Sequence, residues 1–150
     1  MSTPGSCAIE RLRFENVAIS VADLDRVAAW YQEVLGFKQV GSGEFPTAVA
    51  RFVFLEGKGM RIELISTGKA ALTRLPDPPA HLETTGFKAI VLRTDDLSLA
   101  TRELENKGVT LVWRELQLTN DIAATLIRDP EGNFINVFGP VSNEPIRKAP

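Results

Sequence analysis

The sequence predicts an α+β domain of two paired βαβββ modules, and three observations predict it. The first is an internal repeat. Residues 12–24 read LRFENVAISVADL and residues 85–97 read TGFKAIVLRTDDL. Phe14/Phe87, Val17/Ile90, Ile19/Leu92, Asp23/Asp96 and Leu24/Leu97 are all separated by 73 positions. The ends of the halves, MRIELIS from Met60 and NFINVFG from Asn133, keep that separation of 73. One offset at both ends of a unit marks a duplicated supersecondary structure. The second observation is apolar alternation with a period of two, as a half-buried strand requires. The third is helix punctuation: an aspartate where an N-cap belongs and a glycine just past the end, in both halves.

Each element follows in order. Strands are expected near 14–21 and 87–94, and helices near 24–35 and 97–107, capped by Asp23 and Asp96 and closed by Gly36 and Gly108. Three short strands follow each helix: 37–41, 48–56 and 60–66, then 109–117, 122–128 and 133–139. The stretches Glu56-Gly57-Lys58-Gly59 and Asp129-Pro130-Glu131-Gly132-Asn133 read as hairpin connections. The chain thus divides into an N-terminal arm (1–11), a first module (12–66), a linker rich in proline at 76, 78 and 79 (67–84), a second module (85–139) and a polar tail (140–150).

A length of 150 residues with 44% hydrophobic residues supports one sizeable core. Net charge is −2 with both signs scattered, so there is no basic stripe for nucleic acid, and no stretch is apolar enough for a signal peptide or membrane span. The single cysteine, Cys7, cannot form an internal disulfide and reads as an incidental thiol, which fits a reducing, cytoplasmic setting.

The two faces of the expected strands differ in chemistry. Val17, Ile19, Val21, Ile62 and Leu64, with Ile90, Leu92, Ile135 and Val137, suit packing under helices whose apolar stripes are Val27, Ala28, Tyr31, Leu35 and Leu97, Ala100, Leu104. The other face carries Asn16, Ala18, Ser20, Arg61 and Glu63 in one half, and Ala89, Val91, Arg93, Phe134, Asn136 and Phe138 in the other. Phe52 and Phe54 join it. Such a mixture of small, polar and aromatic groups lines a pocket better than it fills a dry core.

An opening strand ending in VADL, a helix ending in YQEVLGF and a closing RDPEGNFINVF resemble the vicinal oxygen chelate superfamily of glyoxalases, bleomycin-resistance proteins and extradiol dioxygenases. The resemblance spans about residues 12–139 and implies paired βαβββ modules forming a curled mixed sheet around a cleft, and frequent homodimers. In the metal-using members, the first and last strands of each module supply four ligands, usually His, Glu or Gln. The matching positions here are Asn16, Glu63, Ala89 and Asn136. Ala89 has no donor atom, and the two amides are weak partners for a transition metal. The one histidine, His81, falls in the linker and reads as a surface residue.

No metal and no cofactor is therefore expected. The expectation is binding of a small aromatic or amphipathic molecule in the inter-module cleft, as in antibiotic-binding members. Its candidate contacts are Asn16, Phe52, Phe54, Arg61, Glu63, Ala89, Trp113, Leu126, Arg128, Phe134, Asn136 and Phe138. The alternatives are a metal-free lyase, isomerase or epimerase with Glu63 as general base, and a divergent metal-dependent lyase or dioxygenase. Against Glu63 as a base, the residue could simply ion-pair with Arg61 or Arg93.

Overall fold

The computed structural model describes residues 8–142. Cys7 and most of the polar tail lie outside the described residues. The first half contains β1 (Val17–Ser20), α1 (Leu24–Leu35), β2 (Lys38–Phe45), β3 (Ala50–Gly57) and β4 (Met60–Ser66). The second contains β5 (Ala89–Arg93), α2 (Leu97–Asn106), β6 (Leu111–Gln117), β7 (Ile122–Arg128) and β8 (Phe134–Pro140). Each half forms a four-stranded mixed sheet, ordered β1-β4-β3-β2 and β5-β8-β7-β6. The first strand of each half runs parallel to the last, and the remaining pairs are antiparallel. A parallel pair needs a crossover, and the helix supplies it.

The helix ends are set by local chemistry. Asp23 accepts from the Arg26 amide at 3.0 Å, and Asp96 from the Leu99 amide at 2.9 Å. Gly36 takes a left-handed conformation (φ 73°), and Phe37 N donates to Tyr31 O across it. A side chain would be strained at that φ, which is why glycine stands there. The second helix stops one residue earlier, at Asn106, with Gly108 (φ 76°) following Lys107.

The core lies between the helices and one face of each sheet. Val27, Ala28, Tyr31 and Leu35 meet Val53, Leu55, Ile62 and Leu64, and Leu97 and Leu104 meet Ala123, Ile127, Ile135 and Val137. Ala100, expected in the second stripe, is only half-buried, and Thr101 is buried instead. The Thr101 hydroxyl bonds Leu97 O and the Thr125 hydroxyl, both at 2.7 Å, so the buried hydroxyls cost little.

Strand β2 runs on to Phe45, past the expected end near residue 41, and its glycines explain this. A Cβ on Gly43 would sit 2.8 Å from the Phe52 ring, and one on Gly41 would touch the Phe54 ring at 3.6 Å. These glycines do not break the strand; they leave room for the aromatic side chains of β3.

Helix α1 is held at both ends by the second half. The Glu131 carboxylate accepts from Ala22 N at 2.8 Å and from Asp23 N at 2.7 Å. At the other end Lys107 Nζ donates to Glu33 O at 2.9 Å. The last turn of α1 has no basic residue of its own. A carboxylate at the N-terminus and an ammonium at the C-terminus both complement the helix dipole.

Below Glu131 lies Asp129, 4% exposed, which accepts from the Tyr31 hydroxyl at 3.1 Å. Burial, reinforced by the Asp129 carboxylate, pushes the Tyr31 phenol far above its ordinary value of 10.0. Below that value both folded and unfolded chains hold the proton, so this contribution to stability is complete. Above it the unfolded chain releases the proton first, and stability falls by about 1.4 kcal/mol per pH unit. In urea titrations from about pH 9 to about pH 11, the stability advantage of wild type over Tyr31→Phe is therefore expected to shrink steadily. An advantage that stays constant across that range would rule out this linkage.

Candidate functional site

The face of each sheet turned away from its helix carries the residues singled out from the sequence, divided between the halves. On the first sheet, Phe54 lies opposite Glu63, and Glu63 opposite Ala18 of β1. Phe45, Phe52 and Phe54 form a run of ring contacts with centroids 4.5 and 5.1 Å apart. Asn16 immediately precedes β1. Glu63 is half-buried and makes no side-chain ion pair or hydrogen bond among the described residues. Arg61 does not pair with it. Its guanidinium is bound by Glu15 at 2.6 Å and by Glu56, and lies over the Phe54 ring at 5.5 Å. Those carboxylates, the Glu56 hydrogen bond above all, hold the Arg61 proton more tightly than usual. Ion pairing of Glu63 with Arg61, one of the bland expectations, is thus replaced by a separate network.

On the second sheet the register puts Trp113, Leu126, Asn136 and Val91 in one row across four strands. The next row holds Arg128, Phe134 and Ala89, and Phe138 lies opposite Ala124. This face is not open throughout. Leu126 and Phe134 are each 2% exposed and Ala124 is fully buried.

Part of the cover is the linker. Arg128 stacks on Phe134 at 4.0 Å and donates to Leu75 O at 2.9 Å, Asp77 at 2.7 Å and Gly132 O at 2.8 Å. The hydrogen bond from Arg128 holds the exposed Asp77 carboxyl below the ordinary carboxylate range. The His81 ring meets Phe134 edge-on at 5.4 Å. His81, expected at the surface, is half-buried, with Nδ1 shielded from solvent. No signal in a proline-rich stretch without apolar periodicity could have shown this.

Four side-chain polar atoms are buried without a hydrogen-bond partner among the described residues: His81 Nδ1, Trp113 Nε1, Arg128 Nε and Asn136 Oδ1. Three belong to the open face of the second sheet, and His81 leans on it. The first sheet contributes none. Buried polar groups are almost always paired, so three orphans on one sheet face, with His81 beside them, set the second half apart from the first.

The four positions at which metal-using relatives place ligands hold Asn16, Glu63, Ala89 and Asn136. Among the described residues, no three His, Cys, Asp or Glu side chains gather closely enough to hold a metal ion. One carboxylate, two amides and a methyl group do not fit a transition metal.

The Glyoxalase/Bleomycin resistance protein/Dioxygenase superfamily matches residues 13–137, and the chain belongs to that superfamily. No curated protein matches the chain. Among solved structures, the fold is similar to a glyoxylase/bleomycin resistance protein/dioxygenase domain from Frankia sp. EAN1pec. Identity is 17% and TM-score 0.68, covering 89% of this chain and 95% of that one. A protein from the mobile metagenome of V. Pseudocholerae is 28% identical with TM-score 0.61, covering 88% and 96%. Glyoxalase I from Zea mays is 19% identical with TM-score 0.68, but this chain covers 86% of itself and 47% of the maize chain. The first and third likenesses concern the fold alone.

Proposed function

We propose that the chain binds a small aromatic or amphipathic organic molecule, without metal, against the open sheet faces, and that the second half supplies the polar recognition. The clustering of three unpaired buried polar atoms on that half, with His81 of the linker beside them, supports this reading. Trp113 brings an N–H donor and Asn136 a carbonyl acceptor, in one row with Leu126 between them. A donor and an acceptor flanking an apolar strip complement an aromatic amide or carboxylic acid. Phe52, Phe54 and Phe138 offer further ring surface.

Phe14 and Phe87 occupy equivalent places ahead of β1 and β5, and both are exposed, as is Val91. Each of these strands pairs on one side only. Exposed rings beside unpaired edges support a homodimer in which a second copy covers them. The lone cysteine supports a reducing, cytoplasmic location. Among the described residues, no helix is long and apolar enough to cross a membrane.

The test is a thermal-shift and fluorescence titration of untagged protein with a panel of aromatic amides and carboxylic acids. At least one is expected to bind saturably, and Trp113→Ala and Asn136→Ala are each expected to weaken it tenfold or more. Sedimentation of the same samples is expected to give twice the chain mass of 16.5 kDa. Binding that is unchanged in both variants, or near-stoichiometric metal on elemental analysis, would sink the reading.

A second reading has its own observation: Glu63 is half-buried and unpartnered beside Phe54. Such a carboxylate could take a proton from a bound carbon acid. Exchange of a ligand C–H with solvent, lost in Glu63→Gln while binding persists, would select this reading over simple binding.

A further inference from the structure

The Arg128 side chain is only 10% exposed, and its guanidinium is incompletely used. Nη1 donates to Gly132 O, and Nη2 to Leu75 O and Asp77 Oδ1. Nε is buried with no partner among the described residues. Nε and Nη2 form one edge of the guanidinium, and a free carboxylate can grip both donors of such an edge with its two oxygens. Asp77 grips this edge by half: one oxygen reaches Nη2 at 2.7 Å and nothing reaches Nε.

The Asp77 side chain is 69% exposed and stands on the linker, outside any helix or strand. It is a tethered carboxylate on a buried cation, and a single ion pair with one exposed partner is weak. Arg74 comes from the same linker to the same turn. A Cβ on Gly132 would lie 3.5 Å from Arg74 Cγ and 3.8 Å from Arg128 Nη1. The Arg128 hydrogen bond and, more weakly, the Arg74 charge favour the ionised form of Asp77. Two arginines thus already serve one carboxylate at this place.

Leu126 lies two residues before Arg128 on β7, so it shares that face at a distance of about 7 Å. Trp113 and Asn136 flank Leu126. The spacing matches an aromatic ring that carries a carboxylate directly.

We propose that the ligand of this face is an aryl carboxylate, that Arg128 anchors it through Nε and Nη2, and that Asp77 holds the anchor until the ligand displaces it. The inference rests on the aromatic-ligand reading and selects acids over amides within it.

Isothermal titration of the whole chain with benzoate and its neutral isostere benzamide tests this. Wild type is expected to bind benzoate at least tenfold more tightly than benzamide. Asp77→Asn removes the competing charge and is expected to tighten benzoate binding at least threefold, a gain that a misfolded variant cannot mimic. Benzamide binding should move less than twofold in that variant. Arg128→Lys keeps a charge but not the two-donor edge, and should erase the preference for benzoate. Benzamide bound as tightly as benzoate overturns the anchor and leaves the aromatic-ligand reading standing. Unchanged benzoate affinity in Asp77→Asn overturns it as well. So do equal gains for both probes, because Asp77 would then act as a cover and not as a carboxylate. Binding of neither probe also overturns it, and the aromatic-ligand reading falls with it only if the wider panel of amides and acids fails too.

Discussion

Asp129→Ala is expected to destabilise the protein by about 4 kcal/mol, measured as a lower urea midpoint at neutral pH. The Asp129 carboxylate accepts from the Tyr31 hydroxyl, from the amides of Glu131 and Asn133, both at 2.9 Å, and from Asn133 Nδ2 at 2.8 Å. Truncation leaves the buried Tyr31 hydroxyl without its acceptor and the turn without its internal tie. Each unmet buried group costs about 1–3 kcal/mol. Against a typical total stability of about 5–15 kcal/mol, that is a large share. Asp129→Asn is the informative control. Its oxygen can still accept from the two amides, but its new NH₂ faces Asn133 Nδ2 donor to donor, and a loss of roughly 1–2 kcal/mol is expected. Equal losses in both variants would show that charge, rather than the number of accepted bonds, holds the turn.

The second large effect is expected at Phe134. Its side chain is 2% exposed, with the Arg128 guanidinium 4.0 Å from the ring and His81 against its edge. Phe134→Ala should cost about 3–5 kcal/mol through lost burial and the cavity left behind. It should also loosen the linker locally, because Arg128 loses the surface that aims it at Leu75 and Asp77. Tryptic cleavage at Lys69 and Arg74, both outside any helix or strand, is the readout. Faster cleavage there, with little change at the strand sites, is expected. Phe134→Leu keeps volume but not the ring face, and should lose less stability while still freeing the linker. Unchanged linker cleavage in both variants would mean that the proline-rich segment is held by other contacts.

Much of the fold was legible in the residues because its signals are local. Asp23 and Asp96 cap the helices as their spacing predicts, and β4 and β7 begin and end where the alternation does. The face assignment also follows from a period of two, so Ile62 and Leu64 go in while Arg61 and Glu63 do not. What was not legible depends on partners far along the chain. Nothing near Arg61 in the sequence says that Glu15, 46 residues away, will bind it rather than leave it beside Glu63. His81 read as exposed because the neighbour that shelters it, Phe134, belongs to the last strand. Glu131 read as a turn residue because a carboxylate reaching a helix 108 positions earlier leaves no local pattern. The candidate contacts were located by face, but the cover that the linker lays over Arg128 and Phe134 was not.

The two attachments of α1 make the duplicated halves unequal. The second half lends the first a carboxylate at one end of its helix and an ammonium at the other, and Asp129 secures the Tyr31 hydroxyl between them. Among the described residues no matching contact runs the other way from the Glu56–Gly59 hairpin: Glu56 stands 73 positions before Asp129, but it binds Arg61. A gene cut in the linker would therefore yield two unlike fragments. The first would keep its Asp23 cap but lose the Glu131 and Lys107 contacts and the acceptor of its Tyr31 phenol, and the second would keep the groups that made them. The architecture repeats, but these contacts between the repeats run one way, which leaves a debtor and a creditor.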